Sequence, residues 1–487
     1  MLFNSYDFIF IFLPLTLSIF YLLSFFSPGK WPWMWVFGCS LFFYGHWNPT
    51  FLPLILCSIA VNYLLSKILL TSQSENRRAW CGGGIGLNLA VIGYFKYKNF
   101  FLENLGTLAG YTPELDSIFI PLGISFFTFQ QITFLIEAYR REITPDTLRV
   151  FPLYISYFPQ LIAGPIVLSK EFIPQLNGFK WRENLPEKIS VGLSIFMIGL
   201  FKKTVIADGI SVYVVDLFNV TSYNGGTAVS FFSAWEGVLS YTFQLYFDFS
   251  GYSDMAVGLA ALFGIKIPQN FNSPYKAVNI SDFWRRWHIT LSRFLKDYLY
   301  IPLGGNRGGP VGTHFNLLIT MILGGLWHGA QWTFVIWGLY HGLLLICRSL
   351  WSKLISRLSL KPENNYFYMR FSQGLTFLVV IIGWVIFRSS DMDQATSIIQ
   401  SMFSIPTLDG ADPVVWIFLL SLFGVTSFAP NLYELFGDWS SFNLMTVRRQ
   451  QTLQWKPRPV YAVLVAVIGV FAIISINADS EFLYFQF

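Results

Sequence analysis

An all-α, polytopic membrane protein is the fold class this sequence predicts, on three observations. Of its 487 residues 54% are hydrophobic and only 12% charged, with a mean hydropathy of +0.51. So few charges do not cover the surface of a water-soluble chain of this length. Apolar stretches recur from end to end with short polar breaks, and the basic residues gather in pairs between them. Together these predict about 10–12 transmembrane helices, with re-entrant and interfacial helices beside them, in one integrated membrane domain spanning 1–487.

The first run, near 8–27, lacks a basic start and is followed at once by further membrane-length stretches, so it reads as the first span and not a cleaved signal. Further apolar runs lie near 33–47, 50–66, 84–101, 118–137, 151–168, 189–218, 229–247, 251–264, 315–327, 331–347, 371–387, 412–429 and 459–476. Some approach the ~20 residues that cross a ~30 Å core, and the shorter ones read as re-entrant or tilted. The pairs Arg77 and Arg78, Arg140 and Arg141, and Lys202 and Lys203, with the clusters Arg285 to Lys296, Arg348 to Arg357 and Arg448 to Arg458, assign their loops to the cytoplasm and both termini to the opposite side. Lys96 and Lys98 stand against that pattern, at the end of a run pointing outward. The net charge of +5 is small and spread over these loops, which fits membrane anchoring and not nucleic-acid binding. The aromatic side chains supply packing bulk and interfacial anchors. Cys39, Cys57, Cys81 and Cys347 have no metal-ligand spacing and read as small apolar fillers.

Ser281 to Tyr300 differs in kind. Phe283, Trp284, Trp287, Leu291, Phe294, Leu295 and Tyr298 recur at three- and four-residue spacing, interleaved with Arg285, Arg286, Arg293 and Lys296. This predicts an amphipathic helix at the cytoplasmic interface, capped by Ser281 or Asp282. The turn Gly304-Gly305-Asn306-Arg307-Gly308-Gly309-Pro310 ends it and matches neither the P-loop nor the dinucleotide spacing. Either a tight connection or a backbone surface for a ligand fits it.

Five histidines are present, and none forms a His-Glu-x-x-His pattern, so the sequence offers no reason for a metal. His328, in Leu326-Trp327-His328-Gly329 between two apolar runs, stands out. An imidazole at membrane depth is hydrogen-bonded, solvated or used. Flanking small residues allow a kink or close helix packing beside a passage, where a neutral imidazole accepts a hydroxyl proton as that oxygen attacks an ester or thioester. The alternative is a histidine that only bonds another helix. His341 lies 13 positions on, roughly 20 Å along a continuous helix at ~1.5 Å per residue, which separates it from His328 and makes it structural. His288, on the charged helix, is the more credible companion, either orienting an acyl carrier or the substrate carbonyl or lining the polar face. Asp248 and Asp254 flank Phe249-Ser250-Gly251-Tyr252-Ser253 and need partners: Arg285 or Arg286 are the expected ones, and the alternative is that one aspartate polarises a histidine. Pro159 to Pro165 breaks a run with a proline at each end and reads as a re-entrant turn beside the same cavity.

The stretches Pro121 to Gln130, Tyr157 to Pro165, Phe247 to Asp254, Phe283 to His288, Tyr298 to Arg307 and Leu326 to Gly329, with the C-terminal Phe482 to Phe487, occur in this order. In them the chain resembles the membrane-bound O-acyltransferase family, in the bacterial branch that includes the alginate O-acetylation membrane protein and the peptidoglycan O-acetyltransferase. The resemblance implies a ring of tilted helices around a central funnel, through which acyl transfer crosses the bacterial inner membrane. It puts His328 on the family's essential histidine and His288 on its second polar site, giving His328 and His288 as the catalytic pair. It also implies acetyl-CoA or another cytoplasmic thioester as donor, with no tightly bound cofactor. The acyl group would pass to an extracytoplasmic SGNH-type acetyltransferase or a short membrane peptide, and then to a polysaccharide. Arg286, with Arg285 beside it and Asn306 in the glycine-rich turn, is assigned to the donor by charge and position near the inner face. A transporter or flippase of an acyl carrier, whose helices also carry polar breaks, an acyltransferase for lipid or protein using a longer donor, and a secretion scaffold are the competing readings.

Overall fold

The computed structural model describes residues 1–27, 29–73, 75–177, 183–223, 229–359, 365–406, 411–437, 455–456, 458–477 and 482–483, and every regular element among them is helical. Six helical stretches have the length and apolarity to cross a membrane: Asp7–Phe26, Pro49–Thr71, Leu185–Asn219, Gly309–His328, Trp332–Arg357 and Tyr366–Arg388. Pro413–Phe428 and Pro459–Ile474 are shorter apolar helices. Two further helices, Ile124–Arg140 and Phe231–Leu262, stay outside that set for a physical reason. They are buried almost throughout, so they face protein and not lipid, and they tolerate Gln130, Gln131, Glu137, Glu236, Asp248 and Asp254.

Phe231–Leu262, 32 residues long, is the central post. It packs along Leu185–Phe201 through glycines on both sides, Gly258 against Gly192 and Gly251 against Gly199. A Cβ on Gly258 would lie 2.6 Å from the Gly192 carbonyl oxygen, so the backbones touch as small-residue membrane interfaces do. That approach decides the ion pairing. Lys202 and Lys203 continue the neighbouring helix as a π-turn, Lys202–Ala207. They meet Asp254 and Asp248 across the contact: Lys202 pairs with Asp254, and Lys203 lies 2.8 Å from both Asp248 and Asp208. The expected pairing of these aspartates with Arg285 or Arg286 is therefore corrected. Lys202 and Lys203 are not loop cations but part of a helical turn, drawn inside by the desolvated carboxylates of the central helix. Asp248 also accepts a hydrogen bond from the Leu483 backbone N–H at 3.1 Å, and Phe482 and Leu483 are buried. The rest of the C-terminal aromatic motif, and Arg448 and Arg449 of the last basic cluster, lie outside the described residues.

Ser281 to Tyr300 is not one helix. It forms Ile280–Arg286, Ile289–Leu295 and a π-turn Lys296–Tyr300, broken at Trp287 and His288, where His288 has φ 42°. Periodicity misses the break because a tertiary strap makes it. The Asn272 N–H donates to the Arg286 carbonyl and the Ile289 N–H to the Asn270 carbonyl, both at 2.9 Å. These bonds hold the histidine in a conformation that side chains rarely adopt. The cap is neither Ser281 nor Asp282 but Asn279, whose side chain accepts from the Asp282 N–H at 2.9 Å.

Gly309–His328 and Trp332–Arg357 form a tight antiparallel hairpin. A Cβ on Gly325 would fall 2.2 Å from the Phe334 carbonyl oxygen, and one on Gly338 would fall 2.3 Å from that of Met321. Because backbone, not a flexible side chain, occupies that space, Gly338→Ala is expected to destabilise the protein by about 1–3 kcal/mol through overpacking. The check is thermal unfolding of the detergent-purified chain, with the exposed Gly374→Ala, which meets nothing within 4 Å, as the control that is not destabilised.

Candidate active site

The hairpin carries His328 to the interior. It is the last residue of its helix, and Gly329 turns the chain into extended geometry before the next helix begins at Trp332. His328 is buried, its ring against Trp327 at 4.9 Å, Trp337 at 5.3 Å and Phe387 at 5.2 Å between centroids. His288, also buried, faces the same Trp327 indole at 6.1 Å and sets its edge to Phe249 at 4.8 Å. The two histidines singled out by sequence thus meet around one tryptophan.

Trp327 is where the separate motifs converge. Phe129, from the Pro121 to Gln130 stretch, stacks on it at 5.3 Å and Phe126 meets its edge at 5.8 Å. Phe129 in turn stacks on Phe294 of the Ile289–Leu295 helix at 4.0 Å. The proline-bounded Pro159 to Pro165 segment is buried and tied to the same place. Just beyond it, the Ile166 N–H donates to the Thr290 hydroxyl at 3.0 Å, and Arg293 holds the Ile166 carbonyl at 3.2 Å while pairing with Glu171.

Asn270 orients His288, and sequence reasoning missed it. Its fully buried side-chain oxygen faces His288 Nδ1 at 3.0 Å and accepts from the Thr290 hydroxyl at 3.0 Å and the Thr290 N–H at 3.3 Å. An amide oxygen only accepts, so Nδ1 of His288 carries the hydrogen and Nε2 presents its lone pair. His288 lies outside the six apolar spans. Burial pushes its imidazole down to about 3, and the ring is neutral at pH 7. The only trace in the sequence was an amide pair, Gln269-Asn270, between apolar runs.

His341 also belongs to this neighbourhood. The turn at Gly329 ends the continuous helix that had separated it from His328, and both rings pack on Trp337, His341 at 4.7 Å. It is fully buried among Trp284, Trp337 and Tyr340, and among the described residues neither ring nitrogen has a hydrogen-bond partner. The estimate of roughly 20 Å along one helix is replaced by a hairpin that folds His341 back.

The three residues assigned to the donor are not gathered with the histidines by any direct contact among the described residues. Arg285 is exposed. Arg286 pairs with Asp282 at 3.0 Å and donates to the Asn272 carbonyl at 3.2 Å. Asn306 is exposed, and its side-chain oxygen accepts from the Tyr300 hydroxyl. All three lie on the segment carrying His288 or on the glycine turn that follows it.

Residues 87–389, which contain both histidines, match the family model described as MBOAT, membrane-bound O-acyltransferase family. Among curated proteins, the chain is 41% identical to a peptidoglycan O-acetyltransferase of Helicobacter pylori over 429 residues, covering 82% of this chain and 80% of the relative. It is 36% identical to a probable alginate O-acetylase AlgI of Pseudomonas putida over 512 residues, covering 100% of both. Similarity at 28% identity reaches a teichoic acid D-alanyltransferase of Bacillus subtilis, over 55% of this chain and 68% of that protein.

Proposed function

We propose, from the premise that this chain belongs to the membrane-bound O-acyltransferase family, that it takes an acetyl group from a cytoplasmic thioester and passes it outward to O-acetylate a polysaccharide. The multi-pass enzyme is an O-acyltransferase; the acetyl group, the donor and the acceptor are our reading. The observation that carries it is the meeting of His328 and His288 around Trp327 in a buried aromatic site. Relatives named for O-acetylation of peptidoglycan and alginate support acetyl as the acyl group and a cell-envelope polysaccharide as the final acceptor. We place it in the bacterial inner membrane, and its apolar helices support the multi-pass part of that reading.

In this mechanism the hydroxyl oxygen of the acceptor attacks the thioester carbonyl carbon while His328 removes the hydroxyl proton. The carbonyl oxygen gains charge as the tetrahedral intermediate forms. Its collapse breaks the carbon–sulfur bond, and His328 returns the proton to the leaving thiolate. His288, fixed in tautomer by Asn270, orients the reacting groups from its place beside Trp327. The donor itself supplies the acyl chemistry, and exposed Arg285, with Arg286 and Asn306, contacts its phosphates at the cytoplasmic face. The immediate acceptor is an extracytoplasmic SGNH-type acetyltransferase or a short membrane peptide.

Membranes containing the full chain and its extracytoplasmic partners, given radiolabelled acetyl-CoA or palmitoyl-CoA, are expected to transfer label from acetyl-CoA to polymer. Preferential transfer from palmitoyl-CoA into lipid or protein would overturn the acetyl reading. Asn270→Ala is expected to lower turnover about 10–100-fold, the range in which loss of a group that orients a functional histidine falls in metal sites. Steady-state kinetics at constant protein level check it.

A further inference from the structure

A lysine inside the bundle holds the helix end that bears His328. Lys96 lies in the π-helical turn Gly93–Tyr97. Its ammonium donates to the Trp327 carbonyl at 2.6 Å and to the His328 carbonyl at 2.8 Å. The next residue, Tyr97, donates its hydroxyl to the Leu326 carbonyl at 3.0 Å. Two consecutive residues therefore satisfy three consecutive carbonyls. A helix leaves its last carbonyls without intrahelical partners, and here the abrupt extended turn at Gly329 provides no glycine cap to take them. The helix that follows the π-turn, Lys98–Ala109, grips the far side of the turn, where the Trp332 indole N–H donates to the Asn104 side chain at 2.9 Å.

No carboxylate among the described residues forms an ion pair with Lys96. The carbonyl oxygens, and the Trp327 ring 5.9 Å from its nitrogen, are what the charge meets. A desolvated cation used only as a tether is an expensive choice where a neutral donor would serve. A cation is favoured at a helix C-terminus because it offsets the negative end of the dipole, and this C-terminus is the residue proposed as the base.

We propose that Lys96 is a positioning residue for His328: its ammonium pins the last two carbonyls of the helix, fixing the depth and angle of the imidazole and offsetting the helix dipole beside it. The inference rests on the reading of His328 as the base. It separates two properties that a tether alone would not, since charge and carbonyl donation are both needed.

The test uses the full-length protein in native membranes, with radiolabelled acetyl-CoA as the probe and transfer to the endogenous acceptor as the readout. Lys96→Met is expected to lower kcat about 100-fold, as small displacements of catalytic groups do, with KM for acetyl-CoA and protein level unchanged. Lys96→Arg, which keeps charge and donors, is expected to restore most of the turnover. Lys96→Gln, which keeps N–H donors and loses the charge, is expected to stay well below wild type, and it takes the place of the methionine variant if that variant does not accumulate. Wild-type kcat in the neutral variants, or an arginine variant as inactive as they are, overturns the proposal. His328→Ala is measured alongside. Full turnover in that variant overturns the base assignment itself, whereas its loss together with wild-type turnover in Lys96→Met overturns the role of Lys96 alone.

Discussion

Replacing His328 with alanine is expected to lower acyl transfer by about 100- to 10,000-fold, the usual contribution of a positioned general base, without loss of the protein from the membrane. The packing argues for this separation. The His328 ring rests against Trp327, Trp337 and Phe387, which also hold one another: Trp337 meets Phe387 at 5.2 Å, and Trp327 stacks on Phe129. The backbone is anchored independently, because Lys96 and Tyr97 grip carbonyls and not the imidazole. Truncation therefore removes the base and leaves its frame. His328→Gln, which preserves a polar side chain without a proton-accepting nitrogen, is expected to be equally inactive. Polymer acetylation in cells, with membrane abundance as the control, checks both variants.

Lys203→Met is expected to destabilise the protein by about 3–5 kcal/mol, the cost of stranding a buried charge. Lys203 and Asp248 are each 2% exposed, so water cannot solvate the carboxylate left behind. Asp208 loses the same cation. The damage reaches the C-terminus, because the Lys203 ammonium lies 4.8 Å from the Phe482 ring and Asp248 receives the Leu483 N–H. The double variant Lys203→Met with Asp248→Asn is expected to recover part of the loss, since the amide is uncharged and still accepts that N–H. Thermal unfolding of the detergent-purified full chain reads both effects. A single variant as stable as wild type would show that the pair contributes nothing.

The site was legible where it is local in sequence and illegible where it depends on what crosses it. Trp327-His328-Gly329 announced a polar break, and the hairpin there follows from its small residues. Phe283 to His288 announced an aromatic and charged helix, yet not its rupture at His288, which arises from Asn270 and Asn272 on a strap of no periodicity. Lys96 was visible only as an exception to the charge pattern. A lysine at that point reads as a loop cation until the carbonyls it meets, more than 200 positions away, are known. The aspartates of the central helix demanded cations by elementary electrostatics. Which cations answered was decided by the glycine contacts that bring Lys202 and Lys203 alongside. Composition predicted the helical membrane class directly, whereas counting spans by apolarity passes over helices such as Phe231–Leu262 that are enclosed by their neighbours.

Whether His328 works as the base on a bound thioester is decided by a density map of the full chain with a non-hydrolysable acetyl-CoA analogue. The analogue's carbonyl group is expected beside the Trp327 indole, with space for one acceptor hydroxyl whose oxygen would lie about 2.6–3.2 Å from an imidazole nitrogen of His328. An analogue whose carbonyl sits beyond reach of both His328 and any hydroxyl bound to it would rule out His328 as the base.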